Sequence, residues 1–296
     1  MNNYYYHIVD VFTDEPLTGN ALAVFPNASG MDSATMQKIA KELNLSETSF
    51  VFPPVNSGCA AKVRIFTPDK EMEFAGHPTI GTAYVLLKHG VVKSDNNCFL
   101  LEENVGAVPV KVDSGENPLI WLETPEIEHG NTFEREICTE VLGLESDDLL
   151  DIEPQLLSAG NPTLFVALRG TDAVDRAKLD LQGSSILRRD RSEPFCVFVF
   201  TAAPNGAYAR MFAPEYGISE DPATGSSAGP LAVYMLKHNL LSESASTSFI
   251  CEQGVKMGRR STLHIRVSGD VIEVGGSVVA VGRGELLKQH PVDQHP

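Results

Sequence analysis

The chain lacks a long apolar run: no stretch of its 296 residues approaches the ~20 consecutive apolar residues that a membrane-spanning helix needs. Its first six residues lack the basic and apolar segments of a secretory signal peptide. Basic residues are also few, with 23 Lys and Arg against 39 Asp and Glu. These absences predict a cytoplasmic protein that does not bind membranes. The net charge of −16 also argues against nucleic-acid binding, which needs a basic surface.

Cysteine is scarce, and its spacing excludes the sites usually built on it. Closely spaced Cys and His are typical of zinc sites, and a dense, even set of cysteines is typical of disulfide-bonded secreted domains. No Cys-x-x-Cys or Cys-x-x-His pair occurs here. The sequence therefore predicts no metal site and reduced, mostly buried thiols at Cys59, Cys98, Cys138, Cys196 and Cys251. Neither G-x-G-x-x-G nor a Walker motif is present, so nucleotide binding has no support.

Two glycine-rich segments stand out, one in each half of the chain. Residues 74–83 read FAGHPTIGTA, and residues 220–230 read EDPATGSSAGP. Each follows a strand-like run and leads into apolar residues at helical spacing. A helix N-terminus exposes unpaired backbone N–H groups and the positive end of the helix dipole, which together bind anions. We therefore expect two helix ends that hold one small anionic ligand in a cleft.

The predicted elements repeat in order. In each half, a Gly-Asn turn (residues 19–20 and 160–161) precedes a strand, a helical region, another strand, the glycine-rich loop and a helix. This order favours an internal duplication with two similar α+β domains. A two-domain α/β chain without duplication is the alternative.

The predicted helices and strands follow hydrophobic periodicity and turn residues. Residues 124–131 are interpreted as a linker between the halves. Helices are predicted over residues 34–43, 79–88, 133–142 and 171–189, and from the second glycine-rich loop to about residue 238. Strands are predicted over residues 5–12, 21–25, 49–52, 61–66, 98–103, 107–112, 118–123, 163–168, 195–201 and 207–212, and several more within 248–283.

Glu47 is the first candidate for proton transfer. It lies between Ser46 and Thr48, after a predicted helix and before an apolar strand. A carboxyl group buried at such a point has a raised pKa and acts as a general acid or base near neutral pH. The alternative is a solvated loop residue with no role in chemistry.

The glycine-rich segments supply the other candidates. His77 lies at a helix N-terminus, where the dipole favours the neutral imidazole. Asp221 either caps the second helix or faces the cleft, where it orients a ligand or carries a proton. Gly76, Gly225 and Ser226 offer backbone N–H groups, and Ser226 adds a hydroxyl.

Three segments together resemble the signature segments of the PhzF-like family, the phenazine-biosynthesis isomerase and its relatives. They are residues 45–48 (LSET), 74–81 and 220–226. Residues 9–13 with the turn at 19–20 resemble the family's N-terminal segment, so the matches keep their order over nearly the whole chain. Ala21 stands where family members often carry Pro, which alters a loop beside the cleft but removes no catalytic group.

The resemblance implies a fold similar to that of diaminopimelate epimerase. This fold is α+β, with two pseudo-symmetric domains, each a curved, barrel-like mixed sheet around a central helix. We assign residues 1–123 to the N-terminal domain and 124–296 to the C-terminal domain, and allow the last strands to return to the N-terminal one. The resemblance also implies a homodimer.

The resemblance further implies a role for each candidate, without a metal or an organic cofactor. Glu47 would be the general acid/base, and His77, Asp221 and Ser226 would assist catalysis. Asn20, Gly76 and Gly225 would bind the substrate. In the phenazine enzyme the glutamate moves a proton between carbons of a dihydro-hydroxyanthranilate.

The leading hypothesis is a cofactor-independent isomerase that moves a proton between carbons of a small carboxylate-bearing metabolite. An amino-acid epimerase or racemase is one alternative. The epimerases exchange the proton between two cysteines at the helix ends, and neither loop here holds a sulfur. A non-catalytic member of the family, which binds a metabolite or another protein, is the other alternative.

Overall fold

Strands dominate the first half of the molecule. The computed structural model describes residues 3–92, 97–115, 117–188, 191, 193–241 and 248–287. The strands of the first half are β1 Tyr4–Val11, β2 Asn20–Phe25, β3 Glu47–Phe52, β4 Ala61–Phe66, β5 Glu71–Met72, β6 Cys98–Glu103, β7 Gly106–Val112, β8 Ile120–Glu123 and β9 Glu128–Thr132.

The second half has the same abundance of strands. They are β10 Gln155–Ser158, β11 Thr163–Ala167, β12 Cys196–Ala203, β13 Gly206–Ala213, β14 Ile218–Asp221, β15 Ser248–Gln253, β16 Ser261–Ser268, β17 Val271–Gly276 and β18 Val278–Leu286. The helices are α1 Ser33–Leu43, α2 Gly76–Lys88, α3 Arg135–Leu142, α4 Thr171–Arg176, α5 Leu181–Leu187 and α6 Gly225–Lys237.

The two halves share one pattern of strand pairing. In the first half β2 runs parallel to β3 and β4 parallel to β6, and the equivalent pairs β11–β12 and β13–β15 are parallel in the second half. The pairs β3–β4, β4–β5, β6–β7 and β7–β8 are antiparallel, as are β12–β13, β13–β14, β15–β16 and β16–β17. Each strand thus corresponds to the one nine places later, which confirms the predicted pseudo-symmetric architecture.

The halves are joined through equivalent strands. The antiparallel pair β8–β17 links them directly. In addition, β9 pairs with β10, while β18 returns to pair with β1. The boundary predicted between residues 123 and 124 falls directly after β8 and stays a prediction.

One long helix lies inside each curved sheet. Helix α2 packs against β1, β2, β8 and β18, and α6 packs against β10, β11, β16 and β17. Each helix thus contacts both the first and the last strands of its half, so the sheet curls around it. Both helices are rich in buried small and apolar residues, as a helix surrounded by a sheet requires. This arrangement brings the N-termini of α2 and α6 together.

Several predicted element boundaries are wrong. The linker predicted over 124–131 contains the start of β9, because residues 128–132 pair with β10 at a sheet edge despite their polar sequence. The helix predicted over 171–189 is two helices, α4 and α5, because Asp180 begins a new helix by accepting a hydrogen bond from Gly183 N–H. Residue 189 lies outside the described residues.

Helix α1 shows a boundary that sequence chemistry does predict. The Asp32 carboxylate accepts a hydrogen bond from the Thr35 N–H at 2.7 Å, and Asn44 ends the helix in the left-handed conformation. Within the described residues, no helix combines the length and the apolar character needed to cross a membrane.

Candidate active site

The N-termini of α2 and α6 meet end to end at two glycines. A Cβ atom added to Gly76 would lie 3.4 Å from the Gly225 Cα, and one added to Gly225 would lie 3.1 Å from the Phe12 ring. A Cβ at Gly225 would crowd the Phe12 ring, and a Cβ at Gly76 would already touch the opposite helix end, so glycine leaves both helix ends room to approach. The backbone N–H groups of both first turns therefore converge on one region.

A cavity of about 330 Å³ lies beside these helix ends. Six of the seven predicted site residues line it: Glu47, Gly76, His77, Asp221, Gly225 and Ser226. The seventh, Asn20, does not line the cavity but is buried and donates a hydrogen bond to Asp221. Residues far apart in the sequence and drawn from both halves thus form one small-molecule-sized cavity.

Glu47 is the first residue of β3, two residues earlier than the predicted start of that strand. It pairs in register with Leu22 of β2, and its side chain is only 13% exposed. Burial raises the Glu47 pKa to about 8, and the negative charge of Asp221 adds to the effect. The alternative of a solvated loop residue is wrong, and Glu47 is mostly protonated at neutral pH.

His77 lies against Glu47. The Nε2 atom of His77 is 3.2 Å from Oε2 of Glu47, although neither atom makes a well-angled hydrogen bond with any described residue. Burial lowers the His77 pKa to about 3, so the imidazole is neutral and the contact is not an ion pair. The neutral ring agrees with the sequence-based expectation, but burial is the cause.

The tautomer of His77 follows from its other nitrogen. The Asn20 Nδ2 atom lies 3.4 Å from His77 Nδ1. The two hydrogens of Nδ2 bond Asp221 and the Ala223 carbonyl, so a hydrogen on Nδ1 would face another donor, and the ring proton of the neutral imidazole is on Nε2. The Nε2–H group therefore faces the Glu47 carboxyl.

Asp221 is the second buried carboxyl of the site. It accepts hydrogen bonds from Asn20 Nδ2 at 2.9 Å and from the Thr224 hydroxyl at 2.5 Å. Burial raises the Asp221 pKa to about 6, with the two hydrogen bonds opposing the rise and Glu220 adding to it. Asp221 is therefore mostly ionised at neutral pH. The N-cap of α6 is Thr224, so the interpretation of Asp221 as the helix cap is wrong.

Two amide side chains hold the Asp221 loop. Asn20 of β2 donates both to Asp221 and to the Ala223 carbonyl, at 3.0 Å, and so ties the first half to the second. Gln253 is fully buried and donates to the Asp221 carbonyl at 2.7 Å, while its own oxygen accepts from Thr224 N–H at 3.2 Å. These bonds fix the direction of the Asp221 carboxylate.

The titratable side chains that line the cavity are mostly acidic. Asp69 and Glu215 join Glu47 and Asp221, and Lys70 is the one Lys or Arg among the described lining residues. An anionic ligand is therefore attracted by Lys70 and by the converging N–H groups rather than by the protein as a whole. Among the described residues, no three His, Cys, Asp or Glu side chains form a group that would hold a metal ion.

Sequence reasoning missed several residues of the cavity. Asn161, Cys196 and Lys70 all line it. Asn161 follows Gly160 as Asn20 follows Gly19, so the repeated Gly-Asn turn was the available signal. Cys196 begins β12 as Glu47 begins β3, a correspondence that appears only in the strand register. Its thiol is free, like the other four, of which Cys98 alone is exposed.

The curved sheets around two abutting helices, with buried carboxyls at the helix ends, define an α+β protein of the epimerase-like class. The family model described as "Phenazine biosynthesis-like protein" (PhzC-PhzF) matches residues 9–284. The chain belongs to this family.

Three known proteins are similar along nearly their whole length. The trans-2,3-dihydro-3-hydroxyanthranilate isomerase of Pseudomonas fluorescens is 35% identical over 294 residues, with 97% of this chain and 100% of the relative covered. A PhzF family phenazine biosynthesis protein of Bacillus anthracis superposes with a TM-score of 0.86 at 25% identity, with 97% of this chain and 100% of the other covered. A probable proline racemase of Agrobacterium radiobacter superposes with a TM-score of 0.67 at 12% identity over 98% of this chain and 94% of its own, which shows the fold alone.

These similarities confirm two predictions. The fold class is α+β and epimerase-like. The enzyme class is isomerase, since relatives that are 34% and 35% identical along the full chain carry that name. The roles of individual site residues, the homodimer and the cytoplasmic location stay predictions.

Proposed function

We propose that the protein moves a proton between two carbons of one small, carboxylate-bearing ring compound, with Glu47 as the proton carrier and no metal or organic cofactor. The observation that carries this proposal is the buried Glu47 carboxyl on the cavity wall, whose pKa of about 8 lies near neutral pH. A carboxyl with such a pKa both takes and returns a proton at moderate cost.

The reaction balances with a single acid/base group. Ionised Glu47 takes a proton from one carbon, and the electron pair of that C–H bond shifts into the unsaturated system. Protonated Glu47 then returns the proton to a second carbon of the same molecule. The substrate gains and loses one proton, so no oxidant, reductant or second substrate is needed.

The neighbouring residues bind and orient the substrate. The His77 Nε2–H group, 3.2 Å from Glu47, donates to a polar group of the substrate or to the carboxylate after ionisation. Asp221, ionised at neutral pH, accepts from a hydroxyl or amino group. Ser226 and the N–H groups at Gly76 and Gly225 bind the substrate carboxylate.

The names of the relatives support a cyclic substrate. Proteins 34% and 35% identical to this chain are named trans-2,3-dihydro-3-hydroxyanthranilate isomerase. A cavity of about 330 Å³ is of the right order for a compound with one six-membered ring. We propose a substrate of this kind for the present chain.

The epimerase alternative is weaker because it needs a second base. The position equivalent to Glu47 in the second half is Cys196, since Leu22 pairs with Glu47 and Thr163 pairs with Cys196. Burial raises the Cys196 pKa to about 12, and Asp221 adds to the rise. This thiol stays protonated at neutral pH. That state favours Glu47 as the single proton carrier and a proton transfer on one face of the substrate. A purely binding role would not require Glu47 to be buried with a raised pKa.

The test is turnover of trans-2,3-dihydro-3-hydroxyanthranilate in deuterated water, followed by NMR. The wild-type protein should convert the compound and incorporate solvent deuterium at a carbon. Glu47→Gln keeps the shape but cannot carry a proton, so we expect turnover to fall about 10²–10⁴-fold with binding retained. Glu42→Gln, an exposed residue of α1, is the matched control and should behave as wild type. Undiminished turnover by the Glu47→Gln variant would refute the mechanism.

A further inference from the structure

The repeat places a second asparagine at the position of Asn20. Asn20 lies two residues before Leu22, and Leu22 pairs with Glu47. Asn161 precedes by two residues Thr163, which pairs with the equivalent Cys196. Each amide also reaches the second residue of its own helix: Asn20 lies 3.4 Å from His77, and Asn161 donates to the Ser226 hydroxyl at 3.2 Å. The two pairs are equivalent in geometry.

The two amides differ in what else they bind. Asn20 is 1% exposed, and its Nδ2 also donates to Asp221 and Ala223 of the opposite half. Asn161 is half-buried, lines the cavity, and bonds through its side chain only to Ser226 among the described residues.

The register explains this difference. In the second half Asp221 pairs with Met211, and the residue equivalent to Met211 in the first half is Ile65. Ile65 pairs with Met72, so Met72 stands at the position equivalent to Asp221. The acceptor that Asn20 finds in the opposite half is therefore replaced by a thioether for Asn161. One N–H of Asn161 remains available on the cavity wall.

The direction of the Asn161–Ser226 hydrogen bond determines which hydrogen-bonding groups these two residues offer to a ligand. Asn161 donates and the Ser226 oxygen accepts, so the hydroxyl hydrogen of Ser226 points elsewhere. A free amide N–H, a free hydroxyl hydrogen and the first N–H groups of α6 are all donors. Donors clustered at a helix N-terminus suit an anion, and Glu47 and His77 reach the cavity from the first half of the repeat.

The geometry points to Asn161 as a substrate-binding residue that, together with Ser226, donates hydrogen bonds to the carboxylate of the substrate. This assignment rests on the proposed function for the place of the substrate in the cavity. It makes the second half of the repeat the main contributor to carboxylate binding, while the proton carrier Glu47 comes from the first half. The two halves would thus have diverged from equivalent positions to separate roles.

The kinetic test uses two substitutions at one position. Asn161→Ala removes the donor, and Asn161→Asp keeps the shape but puts a negative oxygen against the carboxylate. We expect KM for trans-2,3-dihydro-3-hydroxyanthranilate to rise about tenfold for Asn161→Ala and about a hundredfold for Asn161→Asp, with kcat changed much less. Asn161→Ser retains a short donor and should recover part of the affinity. Asn27→Ala is the matched control, because that exposed amide accepts from the Ser29 N–H in a loop outside the cavity lining.

A binding measurement separates this inference from the proposed reaction. Benzoate, a simple ring carboxylate, is titrated calorimetrically into the same variants, which requires no turnover. Weaker benzoate binding by Asn161→Ala and Asn161→Asp supports the inference even if the dihydro compound is not a substrate. Unchanged KM and unchanged benzoate affinity in folded variants overturn it. If the wild-type protein neither turns over trans-2,3-dihydro-3-hydroxyanthranilate nor binds benzoate, both proposals are overturned.

Discussion

At the scale of single residues, the site holds two buried carboxyls in opposite protonation states. Burial raises the pKa of both, to about 8 for Glu47 and about 6 for Asp221. Asp221 stays lower because Asn20 and Thr224 donate to it, whereas Glu47 makes no such bond to the described residues on its Oε2 atom. One carboxyl is therefore ready to exchange a proton while the other provides a fixed charge.

The raised pKa of Glu47 predicts a pH-dependent cost to stability. The usual Glu pKa is 4.5, and the folded value is about 8. Between these values the folded state binds one more proton than the unfolded state, so the free energy of unfolding falls as the pH rises. Glu47→Gln removes this ionisation. We expect its stability relative to wild type to increase from pH 5 to pH 9 by an amount on the order of 1–4 kcal/mol.

Urea unfolding of both proteins at several pH values measures this difference. The exposed Glu42→Gln variant serves as the control and should show no such trend. A constant difference between Glu47→Gln and wild type across the range would mean that Glu47 is not buried with a raised pKa.

At the scale of elements, the site depends on how closely α2 approaches the strands around it. A Cβ atom added to Gly81 would lie 2.6 Å from a methyl carbon of Leu22 in β2 and 2.9 Å from one of Val11 in β1. Gly81 thus sets the distance between α2, which carries His77, and the strands β1 and β2, of which β2 carries Asn20. The helix end is positioned by packing further along the helix.

Gly81→Ala should therefore force α2 away from the sheet. We expect a loss of about 1–3 kcal/mol in the free energy of unfolding, measured by chemical denaturation, together with reduced turnover. Gly282→Ala in β18 is the comparison, because an added Cβ there meets nothing within 4 Å. Equal stabilities of the two variants would contradict the tight contact.

At the scale of the whole molecule, the two halves meet at the cavity from both sides. Arg259 of the second half donates to Asp10 at 2.7 Å and to the Gly19 carbonyl at 3.0 Å in the first half. Lys70 of the first half lies with its Nζ 5.7 Å from the centre of the Tyr216 ring of the second. The cavity therefore exists only when the halves are docked. Assembly of two such chains into a homodimer stays a prediction.

Lys70 should help to attract an anionic substrate in a protein whose net charge is −16. Lys70→Gln is expected to raise KM several-fold at low salt, with kcat little changed, and the effect should shrink at high salt. Lys62→Gln is the matched control, since Lys62 pairs with Glu102 at 3.4 Å away from the cavity lining. Identical KM values for the two variants at low salt would exclude this role for Lys70.

The sequence by itself determined the repeat, the two glycine-opened helices and the short list of polar candidates, because turn residues, caps and hydrophobic periodicity act over a few neighbouring residues. It also carried the family resemblance. It placed β3 two residues late and missed β9, since a strand edge depends on a partner that is distant in the sequence.

Only the tertiary structure decided which candidates share a cavity and which state they adopt. The strand register makes Cys196 the equivalent of Glu47 and Asn161 the equivalent of Asn20, and burial sets the pKa values of Glu47, His77 and Asp221. Desolvation and hydrogen bonding arise from atoms brought together across the two halves. These long-range contacts, rather than any local pattern, give each candidate its place in the cavity and its protonation state.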